Sequence, residues 1–342
     1  MKKILFLVPR YAPAVGGVEK HTAHLAKELI QRGLRVTILT TSHQPGLKPS
    51  EIIAGVKVIR LPFQHFNRKL PTWQWIWQHR QLFVDADIVH IHDVFWWYYP
   101  LRIYYFNKKV FTTFHGYEGP GLPRWQAVWH RRLVEKLSYR TIAVGEFIKK
   151  WYGQNPDLII YGAADQQGVS DKTTAKKNSA VFLGRLEEDT GIMMYLEALQ
   201  RIQPKINLDV YGEGSFLNRA KKFVQRRKLD VKFYLWQTRV DQLYNSHEYA
   251  FVSRYLAILE AMQSKRLVLA VYNNQIKKDY LTMHPASKWM VIAGSAQELA
   301  EKLQKLSEAQ KNNMIRQAYD WAEQQTWPKL ADEYLKLWGV NN

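Results

Sequence analysis

The chain has 342 residues, no cysteine, 49 Lys+Arg against 30 Asp+Glu, and 46% hydrophobic residues. At about 150 residues per domain this predicts two domains, each able to bury its own core, and 13% aromatic content excludes a disordered chain. The absence of cysteine excludes a disulfide framework, thiolate catalysis and a Cys-zinc centre, and no apolar run approaches the ~18 residues that span a bilayer.

Ile4–Val8 stops at Pro9 and Arg10, too short for a signal-peptide core, and reads as a first buried strand. A helix is expected from about Val18 to Arg32, ended by Gly33, and then a strand at Val36–Thr40. Val56–Leu61, Ile88–Ile91, Val110–Phe114, Thr141–Val144 and Leu158–Tyr161 are further short strands, with amphipathic stretches near 73–84, 124–138 and 146–152 between several of them. The polar segment Ala164–Asn178 reads as a link. The alternation then restarts with strands at Ala180–Leu183, Leu208–Tyr211, Val231–Leu235, Tyr249–Val252 and Leu267–Val271. Helices are expected at 191–202, 215–228 and Leu256–Gln263, and from about 296 onward. Short apolar strands alternating with helices predict parallel sheets covered on both faces. Two such doubly wound domains place ligands at the carboxyl ends of their strands, facing a cleft.

Charge narrows the partners. The net charge is +19, and residues 1–170 carry 23 Lys+Arg against 11 Asp+Glu. A basic surface attracts any polyanion. The sequence has no helix-turn-helix, RRM-type or zinc pattern, so nucleic acid is not the expected partner. Eight of the 13 Trp also lie in this half, many beside Lys or Arg. In a helical reading Trp73 pairs with Trp77 and Trp125 with Trp129, each pair on one face, with Arg68, Lys69, Arg131 and Arg132 alongside. This combination suits the headgroup level of an anionic membrane.

Several residues could carry chemistry. Gly16 and Gly17 precede a helix and allow an anionic ligand close to the backbone, although the loop is no GxGxxG fingerprint. His90, His92 and the His115–Gly116 pair stand at strand ends, without the carboxylate spacing of a metal site, so no metal is expected. Arg185 follows a strand and is suited to grip phosphate. Glu260 lies in an apolar helix, where a carboxylate is costly unless paired or bound to ligand.

The segments PAVGGVEKHTAHLAKELIQRGLRV, DIVHIHD, TFHG, AVGEFIKKWYG, GRL, DVYGEG and ILEAM occur in this order over nearly the whole chain. Together they resemble the retaining, nucleotide-sugar-dependent glycosyltransferases of family 4. The resemblance implies a GT-B fold: an acceptor-side domain near 1–165, a nucleotide-sugar-binding domain near 175–325, and a last segment, 326–342, whose helix crosses back to the first domain. It implies that Gly16 and Gly17 lie beside the donor diphosphate, that His115 lies by the transferred sugar and is catalytic, that Arg185 binds diphosphate, and that Glu260 holds the donor ribose. It implies no cofactor or metal, a UDP-sugar in preference to a GDP-sugar, a lipid-linked or polysaccharide acceptor, and a cytoplasmic protein peripheral on the inner face of the membrane. Two positions depart from the family pattern. Val252 stands where the first Glu of Glu-x7-Glu is expected, and Thr190 where a diphosphate-binding Lys is expected. Arg254 is the candidate substitute cation. The same departures leave open a degenerate transferase fold that binds nucleotide without turnover.

Overall fold

Short runs of β-branched and aromatic residues become strands, and two sheets take up the fourteen strands found among the described residues. The first sheet holds β1 (Lys3–Leu7), β2 (Arg35–Thr41), β3 (Ser50–Ile53), β4 (Val56–Leu61), β5 (Ile88–His92), β6 (Val110–Phe114), β7 (Arg140–Val144) and β8 (Leu158–Ile160). Their order is β3-β4-β2-β1-β5-β6-β7-β8, and every neighbouring pair is parallel except β3–β4. The second sheet holds β9 (Lys176–Leu183), β10 (Asn207–Tyr211), β11 (Val231–Tyr234), β12 (His247–Phe251), β13 (Leu267–Val271) and β14 (Val291–Ala293), all parallel, in the order β11-β10-β9-β12-β13-β14.

This computed structural model describes residues 1–62, 68–117, 119, 121–165, 175–235, 237 and 240–340, and the chain divides into two units. The first comprises Met1–Glu118, Pro123–Ile160 and Trp327–Asn342; the second comprises Gly119–Leu122 and Tyr161–Thr326. In the first unit β5 and β6 are buried at every position, as parallel strands covered on both faces must be. The helix Gly17–Gln31 buries His21, Thr22, Leu25, Ala26 and Leu29, one stripe at helical spacing. The last helix, Trp327–Trp338, packs on it in this same unit. Arg32 pairs with Asp332 at 2.7 Å, and the Trp327 ring stacks on His24 at 4.6 Å.

Each sheet has one place where chain direction switches sides. From β1 the chain moves outward to β2 and later returns to pair β5 on the other flank. In the second sheet β9 is flanked in the same way by β10 and β12. The carboxyl ends of β1 and β5, and of β9 and β12, are therefore the crevices where ligands of such sheets bind.

Some expectations change. The stretch 73–84 is two helices, Lys69–Gln78 and Gln81–Asp85. The antiparallel edge strand β3 and the three-residue β14 are additions. The expected link, 164–178, opens with Ala164, whose amide donates to Gln325 O at 3.0 Å, and its last residues already form the start of β9. Residues 166–174 of it lie outside the described residues.

The loops after β9 and β10 cross so closely that only glycine fits. Gly212 has φ +143, and a Cβ there would stand 2.0 Å from the carbonyl oxygen of Gly184. Gly212→Ala should therefore cost at least about 2 kcal/mol in urea unfolding. Gly17→Ala, whose Cβ would meet nothing within 4 Å, should leave stability unchanged to within about 0.5 kcal/mol.

Candidate active site

In the first unit four imidazoles converge at the carboxyl ends of β5 and β6. The parallel register sets His92 beside Thr113, and His115 follows two residues later. His92 Nδ1 and His115 Nε2 are 2.8 Å apart. His21, one turn into the helix that Gly16 and Gly17 open, lies edge-on to His115 with ring centroids 4.9 Å apart. The last helix closes the cluster. Tyr334 Oη bonds His21 Nε2 at 3.0 Å and Thr113 Oγ1 at 3.1 Å, His90 Nε2 bonds the same Thr113 hydroxyl at 2.7 Å, and Trp338 Nε1 donates to His90 Nδ1 at 3.0 Å. The turn at His115–Gly116 is held from both sides. His115 N donates to Asp93 Oδ1 at 3.0 Å, and Arg131 Nη2 donates to Gly116 O at 2.6 Å while its guanidinium stacks 3.9 Å over Tyr152.

Burial decides the charge of this cluster. Desolvation lowers the pKa of His21, His90 and His92 well below the usual imidazole value, and desolvation with the Arg131 charge lowers His115 to about 3. All four are neutral at physiological pH. His21, His90 and His92 are buried, whereas His115 keeps part of its surface open. His92 Nε2 has no partner among the described residues. A bare acceptor there costs less than an orphaned N–H, so the proton sits on His92 Nδ1 and is donated to His115 Nε2. That fixes His115 with its own proton on Nδ1, a neutral hydrogen-bond donor.

Gly16 has an extended backbone, and Gly17 faces open space. A Cβ at Gly16 would meet only the end of the Glu19 side chain. Neither glycine has a positive φ, and the Glu19 carboxylate lies against Gly16 at the start of the helix.

In the second unit Arg185 follows β9, and Arg254 caps the helix Tyr255–Gln263 after β12. Both reach the same carboxylate oxygen, Asp189 Oδ2, with Arg185 Nη2 at 3.3 Å and Arg254 Nη2 in close contact. The Arg185 side chain is 65% exposed. Arg254 and Arg185 thus meet across the switch point between β9 and β12. Lys277, unnoticed in the sequence, is buried close by, with Nζ donating to Ser253 O. Glu260 is buried on the Tyr255–Gln263 helix, near enough to Tyr244 to help raise that phenol's pKa, which burial raises most. Both departure positions are buried. The Thr190 hydroxyl closes a turn on Glu187 O at 2.7 Å, and Val252 is core. Among the described residues no cluster of three His, Cys, Asp or Glu is arranged to hold a metal ion.

The tryptophan pairs differ in exposure. Trp125 is 74% and Trp129 62% exposed on the helix Trp125–Leu137, so they do not fill the core. Trp73 and Trp77 are half-buried, with Trp73 Nε1 bonded to Trp96 O at 2.7 Å and Trp77 packed on the exposed Tyr104. Arg131, expected as a surface cation, is buried instead, and Arg132 donates to Tyr152 O at 3.1 Å. Among the described residues no helix is long and apolar enough to cross a membrane.

The profile of Glycosyltransferase Family 4 matches residues 15–157, and that of Glycosyl transferases group 1 matches residues 165–321. Together the two matches take in most of the chain, which is a glycosyltransferase resembling those of family 4. Its two parallel-sheet units have the GT-B fold. Sucrose-phosphate synthase from Thermosynechococcus elongatus superposes with a TM-score of 0.80 at 16% identity, covering 99% of this chain and 98% of that one. Anabaena HepE, solved with UDP and glucose, gives 0.73 at 17% identity over 98% and 100%. A curated relative, the GDP-mannose:cellobiosyl-diphosphopolyprenol alpha-mannosyltransferase of Komagataeibacter xylinus, is 27% identical over 145 residues, 39% of this chain. The chain spans about a third of that relative's length, 35%.

Neutral buried imidazoles give this glycosyltransferase a signature in acid. Their folded pKa values lie below the unfolded value of ~6.5, so their contribution to stability is complete above that pH and is lost as pH falls toward 3. Each imidazole contributes a slope of up to about 1.4 kcal/mol per pH unit. Urea midpoints followed by Trp fluorescence should fall steeply from pH 7 to pH 5, and His115→Asn should flatten that slope.

Proposed function

We propose that this glycosyltransferase moves a sugar from a nucleoside-diphosphate sugar, UDP-linked in preference to GDP-linked, to a lipid-linked or polysaccharide acceptor, with anomeric configuration retained. The observation that carries this reading is the meeting of Arg185 and Arg254 at the carboxyl ends of β9 and β12. Two guanidiniums at a switch-point crevice suit a diphosphate, whose charge grows as the sugar leaves. His115, neutral and donating from Nδ1, suits a sugar hydroxyl, because it adds a directed hydrogen bond without adding charge. Glu260 suits the ribose hydroxyls as an acceptor, and the helix N-terminus that Gly16 and Gly17 open suits the diphosphate oxygens. HepE is solved with UDP-glucose, which supports the uridine base, whereas the mannosyltransferase is named for GDP-mannose. That relative's acceptor is a diphosphopolyprenol glycan, which supports a lipid-linked acceptor in cell-envelope polysaccharide synthesis.

A lipid-linked acceptor calls for work at a membrane surface, and we infer that this chain binds the inner, anionic face of the membrane peripherally from the cytoplasm. The exposed Trp125 and Trp129, with the exposed Arg68, Lys69 and Arg124, support this. The buried Val252 and the closed Thr190 turn favour a second reading, nucleotide binding without turnover.

Arg185→Ala should weaken UDP binding at least about tenfold in calorimetry, and Arg185→Lys should recover only part of it. His115→Ala should lower kcat about a hundredfold while leaving UDP affinity within about twofold. Nucleotide binding with no transfer to any acceptor would select the second reading, and stronger thermal stabilisation by GDP than by UDP would reassign the base.

For the membrane, the chain should sediment with anionic but not neutral vesicles. Salt, or Ser at Arg68, Lys69, Trp125 and Trp129, should weaken this at about 1 kcal/mol per cation. Equal recovery in the supernatant with both vesicle types at low salt would indicate a soluble acceptor.

A further inference from the structure

Lys277 is a buried amine that the fold does not explain. It lies in the first turn of the helix Gln275–Thr282, its amide bonded to the capping Asn274 side chain at 2.8 Å, and it is 1% exposed. Its Nζ donates to Ser253 O, one residue before Arg254, and stands 4.8 Å from the Tyr280 ring centroid. This is an unfavourable place for an ammonium group on three counts. Burial removes its hydration. The helix N-terminus adds a positive partial charge, and no acidic residue occupies that first turn. The charges acting on it are the guanidiniums of Arg254, from the loop after β12, and Arg185, from the loop after β9, both repulsive. Asp189, also from the β9 loop, is engaged by both arginines. From its own helix the Tyr280 ring faces it. A lysine kept merely to fill space would be better replaced by methionine, which has similar volume and no charge.

We propose that Lys277 is the third cation of a diphosphate site made with Arg185 and Arg254, and that it does the work of the cation missing at Thr190. The proposal rests on the nucleoside-diphosphate reading given above. With Lys277 protonated, three cations and one carboxylate leave an excess of two positive charges, which complements the phosphates of UDP or GDP. Burial, with the two guanidiniums, lowers the Lys277 pKa well below its usual value. An arriving diphosphate replaces repulsion by attraction and reverses that shift, so binding draws a proton onto Nζ.

The test is calorimetric titration of the full chain with UDP and GDP at pH 8.0, where their terminal phosphates are ionised, in two buffers of different ionisation enthalpy. The wild type should take up a fraction of a proton per nucleotide. K277M should bind at least about tenfold more weakly with no uptake, and R254A should bind more weakly yet keep the uptake. Free K277M should melt at or above the wild-type temperature, because a buried amine facing two guanidiniums has been removed. Unchanged affinity and uptake in K277M would overturn the role of Lys277 and leave the diphosphate reading standing. Failure of the wild type to bind UDP, GDP or pyrophosphate would overturn both. Should K277M not fold, K277Q takes its place, and unchanged UDP affinity in folded K277Q overturns the proposal.

Discussion

The bond from Trp338 to His90 can run in only one direction, and much of the first unit is organised around it. An indole N–H donates and never accepts, so His90 Nδ1 is the acceptor. The neutral ring then carries its proton on Nε2 and donates to Thr113. Tyr334, one turn earlier on the same helix, bonds both that threonine and His21. Two side chains four residues apart therefore tie together β5, β6 and the helix Gly17–Gln31. Without them, ring nitrogens in a dry site would lack partners, at about 1–3 kcal/mol each.

The two clusters differ in the kind of electrostatics they use. The histidines are uncharged and ordered by tautomer, so they direct hydrogen bonds without contributing to the basic field. The cluster of Arg185, Arg254, Lys277 and Asp189 has excess charge and few geometric constraints. One carboxylate oxygen shared by two guanidiniums keeps the arginines together when no other anion is present, at less cost than two bare cations side by side. Asp189 Oδ1 is buried without a partner among the described residues, so the carboxylate is held by one edge only.

Periodicity made most of the scaffold legible. Val56–Leu61, Val110–Phe114 and Leu267–Val271 are strands with the bounds their apolar runs imply. The missed β3 joins β4 through Ala54 and Gly55, at φ 48 and 83, a primed turn made without the Asn-Gly or Asp-Gly pair that usually announces one. The three residues of β14 are too few to show a period. In the sites, residues next to a strand end could be read, as with His92, His115 and Arg185. Lys277 could not, because its sequence neighbours, Lys278 and Asp279, give it the look of a solvated helix face. Asp189 likewise sits in an acidic run, and Tyr334 in an amphipathic helix 313 residues from the histidine it bonds. Their meaning lies in contacts between distant segments, which no local pattern encodes.

The place of the last helix also has a temporal side. The second unit is nearly continuous in sequence, from Tyr161 to Thr326, whereas the first is completed by residues that follow it. As the chain leaves the ribosome, β1 through β8 emerge without Tyr334 and Trp338, and their histidines stay incompletely partnered until the second unit has been synthesised. The first unit made is thus the last to be finished, and the imidazole cluster is assembled only on chains that have been translated through Trp338.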